Sequence, residues 1–398
     1  MCKQPEIGIS YQYAPMLKSQ EAFEAARQWY TRSLALAEQE FGPDHLMTAR
    51  CLNNLAGLLK NQGEYAEASV LFERALAIAE RSPDPDSLLI ARYLGNLAVL
   101  RRTQGKYTEA RALYERALSI VEQKLGPDHL TVARYFASLA GLLKLQGEFT
   151  EAQTLYERVL ATVERSLGPD HPEIAIHLNN LAMLMLAQKD YSTAHALLER
   201  VRNIQEYALG SLHPNLAVNY NNTAHVFRAQ GDYAQARRFY ELALTTLEKS
   251  LGLQHPDNAK FLNNLAVLME MQQDYSAAHG YYERALAVQE QTLGPEHPAV
   301  AVSLNNIATL LMKQQNYQTA QALLQRALAI QQQKLGSEHP MTALTRGNLA
   351  MLEQARGNND DIESQAPLRQ AFPLQEEGSE ERRNNGHSTS DRKWLSEL

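Results

Sequence analysis

The chain repeats itself every 42 residues, and that period limits what it can fold into more than any other feature. LGPDHL at residues 125–130 returns as LGPDHP from Leu167, LGSLHP from Leu209, LGLQHP from Leu251, LGPEHP from Leu293 and LGSEHP from Leu335. FGPDHL from Phe41 lies two steps upstream, and the degenerate PDPDSL from Pro83 holds the step between them. A second block keeps the same spacing: LNNLA at Leu52, LGNLA at Leu94, FASLA at Phe136, LNNLA at Leu178, YNNTA at Tyr220, LNNLA at Leu262, LNNIA at Leu304 and RGNLA at Arg346. A fixed period of this length marks a solenoid, in which each unit buries its apolar face against the next. The 398 residues are therefore expected to form one elongated array and not two or three separate globules.

Within a unit the apolar residues follow helical spacing. Ile174, Leu178, Leu181, Ala182 and Met185 recur at three- and four-residue steps, which puts them on one helix face. Pro172 suits the first turn, where a missing N–H costs nothing, and Asp170 and Glu173 suit the positive helix end. A second helix follows Gln-Gly-x-Tyr signals such as Gln62-Gly63-Glu64-Tyr65 and Gln230-Gly231-Asp232-Tyr233, the glycine ending the first helix in a left-handed conformation. Lys189, Gln273 and Gln315 replace that glycine in three copies, so those turns are expected to carry strain. The second helix reads Tyr107, Ala110, Leu113, Tyr114, Ala117, Leu118 and Val121, small and large side chains alternating so that two helices can interlock.

The arithmetic places first helices from near Asp44, Asp86, Asp128, Asp170, Leu212, Gln254, Glu296 and Glu338. Second helices begin near Tyr65, Tyr107, Phe149, Tyr191, Tyr233, Tyr275 and Tyr317. An unpaired helix over about residues 18–40 precedes them, giving seven hairpins between two half-repeats that act as caps. A coiled coil would also suit a multiple of seven, but Gly and Pro at every junction exclude one long helix. The expected organisation is an extension at 1–17, an all-α solenoid at 18–357 and a polar, disordered tail at 358–398.

Composition narrows the function classes. A net charge of -7 and a pI near 6.0 speak against nucleic acid as the main partner. Two cysteines, Cys2 and Cys51, make no disulfide framework and fit a reducing, cytoplasmic setting. The N-terminus has no apolar core of a signal sequence, and no apolar run is long enough to span a membrane. No phosphate-cradling loop, dinucleotide fingerprint, HExxH or nucleophile elbow occurs, so no enzyme activity, metal or cofactor is expected. Histidines recur at His45, His129, His171, His213, His255, His297 and His339. One per repeat spaces them by roughly 20 Å, too far apart to share a metal, so they are expected to finish the turns between helices.

The phrases LYERALSIVEQKLGPDHLTVA (residues 113–133) and LNNLAVLMEMQQDYSAA (residues 262–278) resemble tetratricopeptide repeats, in particular the 42-residue form of kinesin light chains and their bacterial relatives. The resemblance covers residues 18–357. It implies a right-handed superhelix of helical hairpins whose concave wall is lined by the first helices and binds extended peptides or partner proteins. It also implies that wall asparagines grip a peptide backbone. Only about 18 residues precede the first helix and they carry no heptads, so a bacterial relative is expected and not a motor subunit.

The helical wheel then picks candidate contacts. Arg50, Asn53, Gly57, Lys60 and Asn61 fall within an arc of about 100°, opposite Leu52, Leu55 and Leu59. Steps of 42 pair Arg50 with Lys60, Arg92 with Arg102 and Arg134 with Lys144. Further on, the same positions are mostly apolar (Ile176, Leu186, Val218, Val302, Met312), with Arg228 and Lys260 as exceptions. An acidic peptide or protein surface is therefore the expected partner, met by the planar donors of arginine. Asn53, Asn179, Asn221, Asn263 and Asn305 fall on the same outward arc as candidate backbone contacts, while the asparagine after each is expected to bond the neighbouring repeat. The scaffold reading competes with a self-assembling structural repeat protein and with the sensor module of a signalling system. Residues 360–398 hold nine acids and five bases and could fold back on the cations.

Overall fold

A computed structural model of the protein describes residues 20–357; the expected extension and tail lie outside them. The described residues form sixteen helices and no strand. The first, α1 (Gln20–Phe41), stands alone. Seven hairpins follow: α2 (Leu46–Asn61) with α3 (Tyr65–Arg81), α4 (Ser87–Thr103) with α5 (Tyr107–Leu125), α6 (Leu130–Gln146) with α7 (Phe149–Leu167), α8 (Ile174–Ala187) with α9 (Tyr191–Leu209), α10 (Pro214–Gln230) with α11 (Tyr233–Leu251), α12 (Asn258–Met271) with α13 (Tyr275–Leu293), and α14 (Pro298–Lys313) with α15 (Tyr317–Lys334). The half-repeat α16 (Pro340–Gly357) closes the array.

Every second helix begins at the aromatic residue that the period marks. The first helices start one to four residues later than expected, because histidine takes the cap. The Nδ1 atoms of His45, His129, His213, His297 and His339 accept the N–H two residues on, at 3.0–3.2 Å. His171 and His255 do the same for Glu173 and Asp257, and there the helix proper starts only at Ile174 and Asn258. The acidic residues assigned to this role are displaced from it. Only the degenerate copy, which has no histidine, is capped by a carboxylate: Asp86 accepts from Leu88 and Leu89.

The core is built from alanine meeting large side chains. Ala68, Ala110, Ala152, Ala194, Ala236, Ala278 and Ala320, one per second helix, are completely buried. So are Ala56, Ala98, Ala140, Ala182, Ala224, Ala266 and Ala308 of the first helices. A methyl group at each crossing lets backbones approach while Tyr114, Tyr240, Tyr282 and the leucines fill the spaces beside it. Truncating one of these leucines to alanine costs about 2–5 kcal/mol.

Two ladders of unequal length give the array its curvature. On the first helices, Asn96 donates to Asn53 (2.9 Å), Asn222 to Asn179 (2.8 Å), Asn264 to Asn221 (2.8 Å) and Asn348 to Asn305 (3.1 Å). On the second helices, Arg74, Arg116, Arg158, Arg200 and Arg326 reach back 36 residues to Glu38, Glu80, Glu122, Glu164 and Glu290, at 2.6–3.1 Å. Arg284 likewise pairs with Glu248. Short amides draw the first helices together, and long Arg–Glu pairs span wider gaps between the second helices. The first helices therefore line the concave wall.

The curve comes back on itself within the chain. His297 Nε2 donates to the carbonyl of Asn61 (3.4 Å) and His339 Nε2 to that of Thr103 (3.0 Å), both across 236 residues, between five and six repeats. Lys334 pairs with Glu64 beside them. Burial pushes the imidazole of His297 down to about 4, with the Lys334 ammonium adding to that and the Asn61 and Glu64 contacts opposing it. The neutral ring then accepts the cap at Nδ1 and donates from Nε2.

Candidate functional site

Of the positions picked from sequence, Arg50, Arg92 and Arg134 are exposed on α2, α4 and α6. None of the three has a carboxylate within ion-pair distance among the described residues. Lys144 is half-buried and also lacks one, and Lys60 and Arg102 are half-buried at the C-terminal ends of α2 and α4. The side chain beside the arginines was not anticipated. Tyr135 lies across from Gly95, where an added Cβ would stand 3.0 Å from the ring and 3.4 Å from the hydroxyl. Burial pushes the Tyr135 hydroxyl up to about 12, while the charges of Arg134 and Arg92 both pull the other way. Gly95 is thus the gap that admits the Tyr135 ring. In the same stretch, an added Cβ on Gly141 would sit 3.4 Å from the Tyr156 hydroxyl and 3.8 Å from Arg102 Nη1. Hydroxyl and guanidinium therefore converge on a bare patch of backbone.

The asparagines occupy a different place from the one expected. Asn53, Asn179, Asn221, Asn263 and Asn305 are buried. The side-chain oxygens of four accept the amide of the next repeat, and Asn263 donates to the Ala259 carbonyl and Ser303 Oγ (2.9 and 3.1 Å). A wheel gives a direction around one helix and not the distance to the next, and on a tight inner wall that direction meets a neighbour. The second asparagine of each copy bonds the preceding repeat as expected where Asn222 and Asn264 stand. The ladder lacks members at Gly95, Ala137 and Ser138, which is where Tyr135 and the arginines are.

Several polar side chains of the C-terminal wall pair within the wall. His225 is buried, with Tyr240 Oη at 2.9 Å and Arg228 Nη2 at 3.2 Å from its Nδ1. Burial, reinforced by Arg228, holds its imidazole well below the ordinary range. Glu270, at the position that Lys60 and Arg102 occupy earlier, accepts from Lys313 (2.6 Å) and Tyr282 (3.1 Å). Lys260 turns to Asp257 at 3.6 Å. Arg228 and Lys260 thus face polar or charged side chains of their own helices, whereas Arg50, Arg92 and Arg134 have no carboxylate partner among the described residues.

A family model described as the tetratricopeptide repeat matches residues 6–81, 52–123, 89–147, 131–206, 215–291, 259–311 and 299–377. The chain belongs to the tetratricopeptide-repeat family. That family's fold is a protein-interaction scaffold, and no catalytic family is indicated. Among solved structures the array is similar to BtubC (BKLC) from P. vanneervenii, with 25% identity over 58% of this chain and 93% of that one and a TM-score of 0.49. A candidate kinesin light chain of Podosopora anserina with nearly identical TPR-like repeats shares 28% identity over 51% of this chain and 97% of its own, at a TM-score of 0.42. The apo form of RapI, 14% identical, covers 72% of this chain and 98% of its own with a TM-score of 0.50, a likeness of fold. No curated protein sequence matches the chain. Among the described residues, no helix of this tetratricopeptide array is long and apolar enough to cross a membrane.

Proposed function

We propose that this tetratricopeptide array is an adaptor that takes an acidic segment of a partner protein against the first-helix wall of its N-terminal three repeats. Arg50, Arg92 and Arg134 are the principal contacts, with Lys60, Arg102 and Lys144 beside them. One observation carries the reading. Six second-helix arginines each find a glutamate in the repeat before, yet three first-helix arginines at the same period find none among the described residues, in a chain with 45 acids against 38 basic residues. Exposed arginine supplies two parallel donors to a carboxylate, and three in a column suit a row of them. Packed helices lie about 8–10 Å apart, and a peptide in the extended polyproline II conformation advances about 3.1 Å per residue with three residues per turn, so that every third side chain faces the same way. Glutamates at every third position of an extended peptide therefore match the column. The scaffold performs no chemistry of its own, and its buried Cys51 is a free thiol, in keeping with a reducing cytoplasmic setting.

Titration of a fluorescent peptide with glutamate at every third residue tests this. Tight, salt-weakened binding that drops at least about 100-fold in Arg92→Glu/Arg134→Glu is expected, since each charge-assisted hydrogen bond contributes about 1.5–3 kcal/mol. Equal affinity in the variant would overturn the proposal.

A further inference from the structure

Where the array meets itself, a His–Pro edge seats on a glycine turn. A Cβ on Gly63 would lie 2.5 Å from Pro298 Cδ, and one on Gly105 would lie 2.8 Å from Pro340 Cδ. A rigid proline ring cannot yield that space, so only glycine fits either turn. The ring hydrogen bonds of His297 and His339 to Asn61 and Thr103 complete the seat.

Because the array overlaps itself only in part, both halves of this seam recur on rims that no other described residue covers. One rim carries His171-Pro172, His213-Pro214 and His255-Pro256, with Leu212 and Leu253 exposed beside them. The other carries the turns at Gly147, Lys189, Gly231, Gln273 and Gln315, all exposed. Two complementary rims on one molecule form a head-to-tail contact that does not close, and such contacts build filaments. A second copy of this chain is the occupant that would fit, since it would continue the geometry already present within one copy.

The turn residues argue that this docking is blocked. Lys189, Gln273 and Gln315 sit at φ 65°, 64° and 62°, where a residue other than glycine is strained. All three lie on the uncovered rim, and both covered turns keep glycine. We propose that Lys189, Gln273 and Gln315 are guards against stacking: their side chains stand where the His–Pro edge of a second copy would seat, and so keep the protein in single copies.

Sedimentation velocity from low to high micromolar concentration tests the proposal. The wild-type protein should keep one sedimentation coefficient, and Lys189→Gly/Gln273→Gly/Gln315→Gly should grow into larger species as concentration rises. The glycines relieve strain, so the variant should show unchanged helical circular dichroism. Gly63→Gln/Gly105→Gln in the otherwise wild-type chain should open the internal seam and raise the radius of gyration in X-ray scattering. The proposal is wrong if the triple-glycine variant stays at one size, if the wild-type protein already assembles, or if the Gly63/Gly105 variant keeps its radius.

Discussion

Two columns of arginine run along this molecule at the same 42-residue step, with different surroundings. The second-helix column, Arg74 through Arg326, has a glutamate waiting in the preceding repeat at almost every step. The first-helix column, Arg50, Arg92 and Arg134, has none among the described residues. Both are exposed or half-exposed. What differs is the neighbour. Pairing turns a cation into a spacer between helices, and leaving it unpaired keeps its donors available to something outside the chain. The asparagine ladder makes the same point by contrast: it spends its hydrogen bonds inside the fold, and it lacks members at Gly95, Ala137 and Ser138, beside Arg92 and Arg134.

The largest effect should separate the columns directly. Arg92→Ala/Arg134→Ala should weaken binding of the acidic peptide by about 3 kcal/mol, read by calorimetry, with no change in melting temperature. Arg116→Ala should leave affinity untouched; a loss there would show that any cation serves.

Acid should next loosen the seam. The folded chain holds His297 at about 4 against an unfolded value near 6.5, so the unfolded chain takes up the proton first. Stability therefore falls as pH drops from about 6.5 towards 4, by about 2–3 kcal/mol for this residue once its partial exposure is allowed for. His213, His225 and His339 are shifted down as well and act in the same sense. Urea midpoints should decline between pH 7 and 5, and His297→Asn, which keeps a capping oxygen but cannot titrate, should flatten the slope.

A smaller effect is expected from the amide ladder. Asn264→Ala strips the partner from Asn221 and should cost about 1–3 kcal/mol in chemical denaturation without altering peptide affinity. The least is expected from the paired column. Arg116→Ala should lower stability by no more than about 1 kcal/mol, because the Arg116–Glu80 pair is half-exposed and screened.

Much of the fold could be read from the sequence, because repeat burial is local. Tyr65, Ala68 and their copies announce each second helix, and the eight LNNLA-like blocks announce each first helix. The positive φ of Lys189, Gln273 and Gln315 followed from the glycines they replace. The histidine caps were placed in the right turn but not given their role, since a ring nitrogen seldom stands where aspartate or serine is usual. The candidate site was legible only by azimuth. That sufficed for the exposed arginines and misled for Asn53 and its copies, whose direction points at the adjoining helix. Tyr135 left one trace, the glycine at 95 opposite it. The seam left almost none, because its 236-residue separation is not a multiple of the period; retention of Gly63 and Gly105 is its only mark.

Strings of hairpins ordinarily fray from their ends, since each unit is held by its neighbours alone. The bonds from His297 and His339 to the first two hairpins tie late units to early ones. Melting of the last hairpins then removes support from the first two, and a partner that grips the first two steadies the last. A linear string has become something nearer a coil spring welded across one turn, with its two ends sharing a single fate.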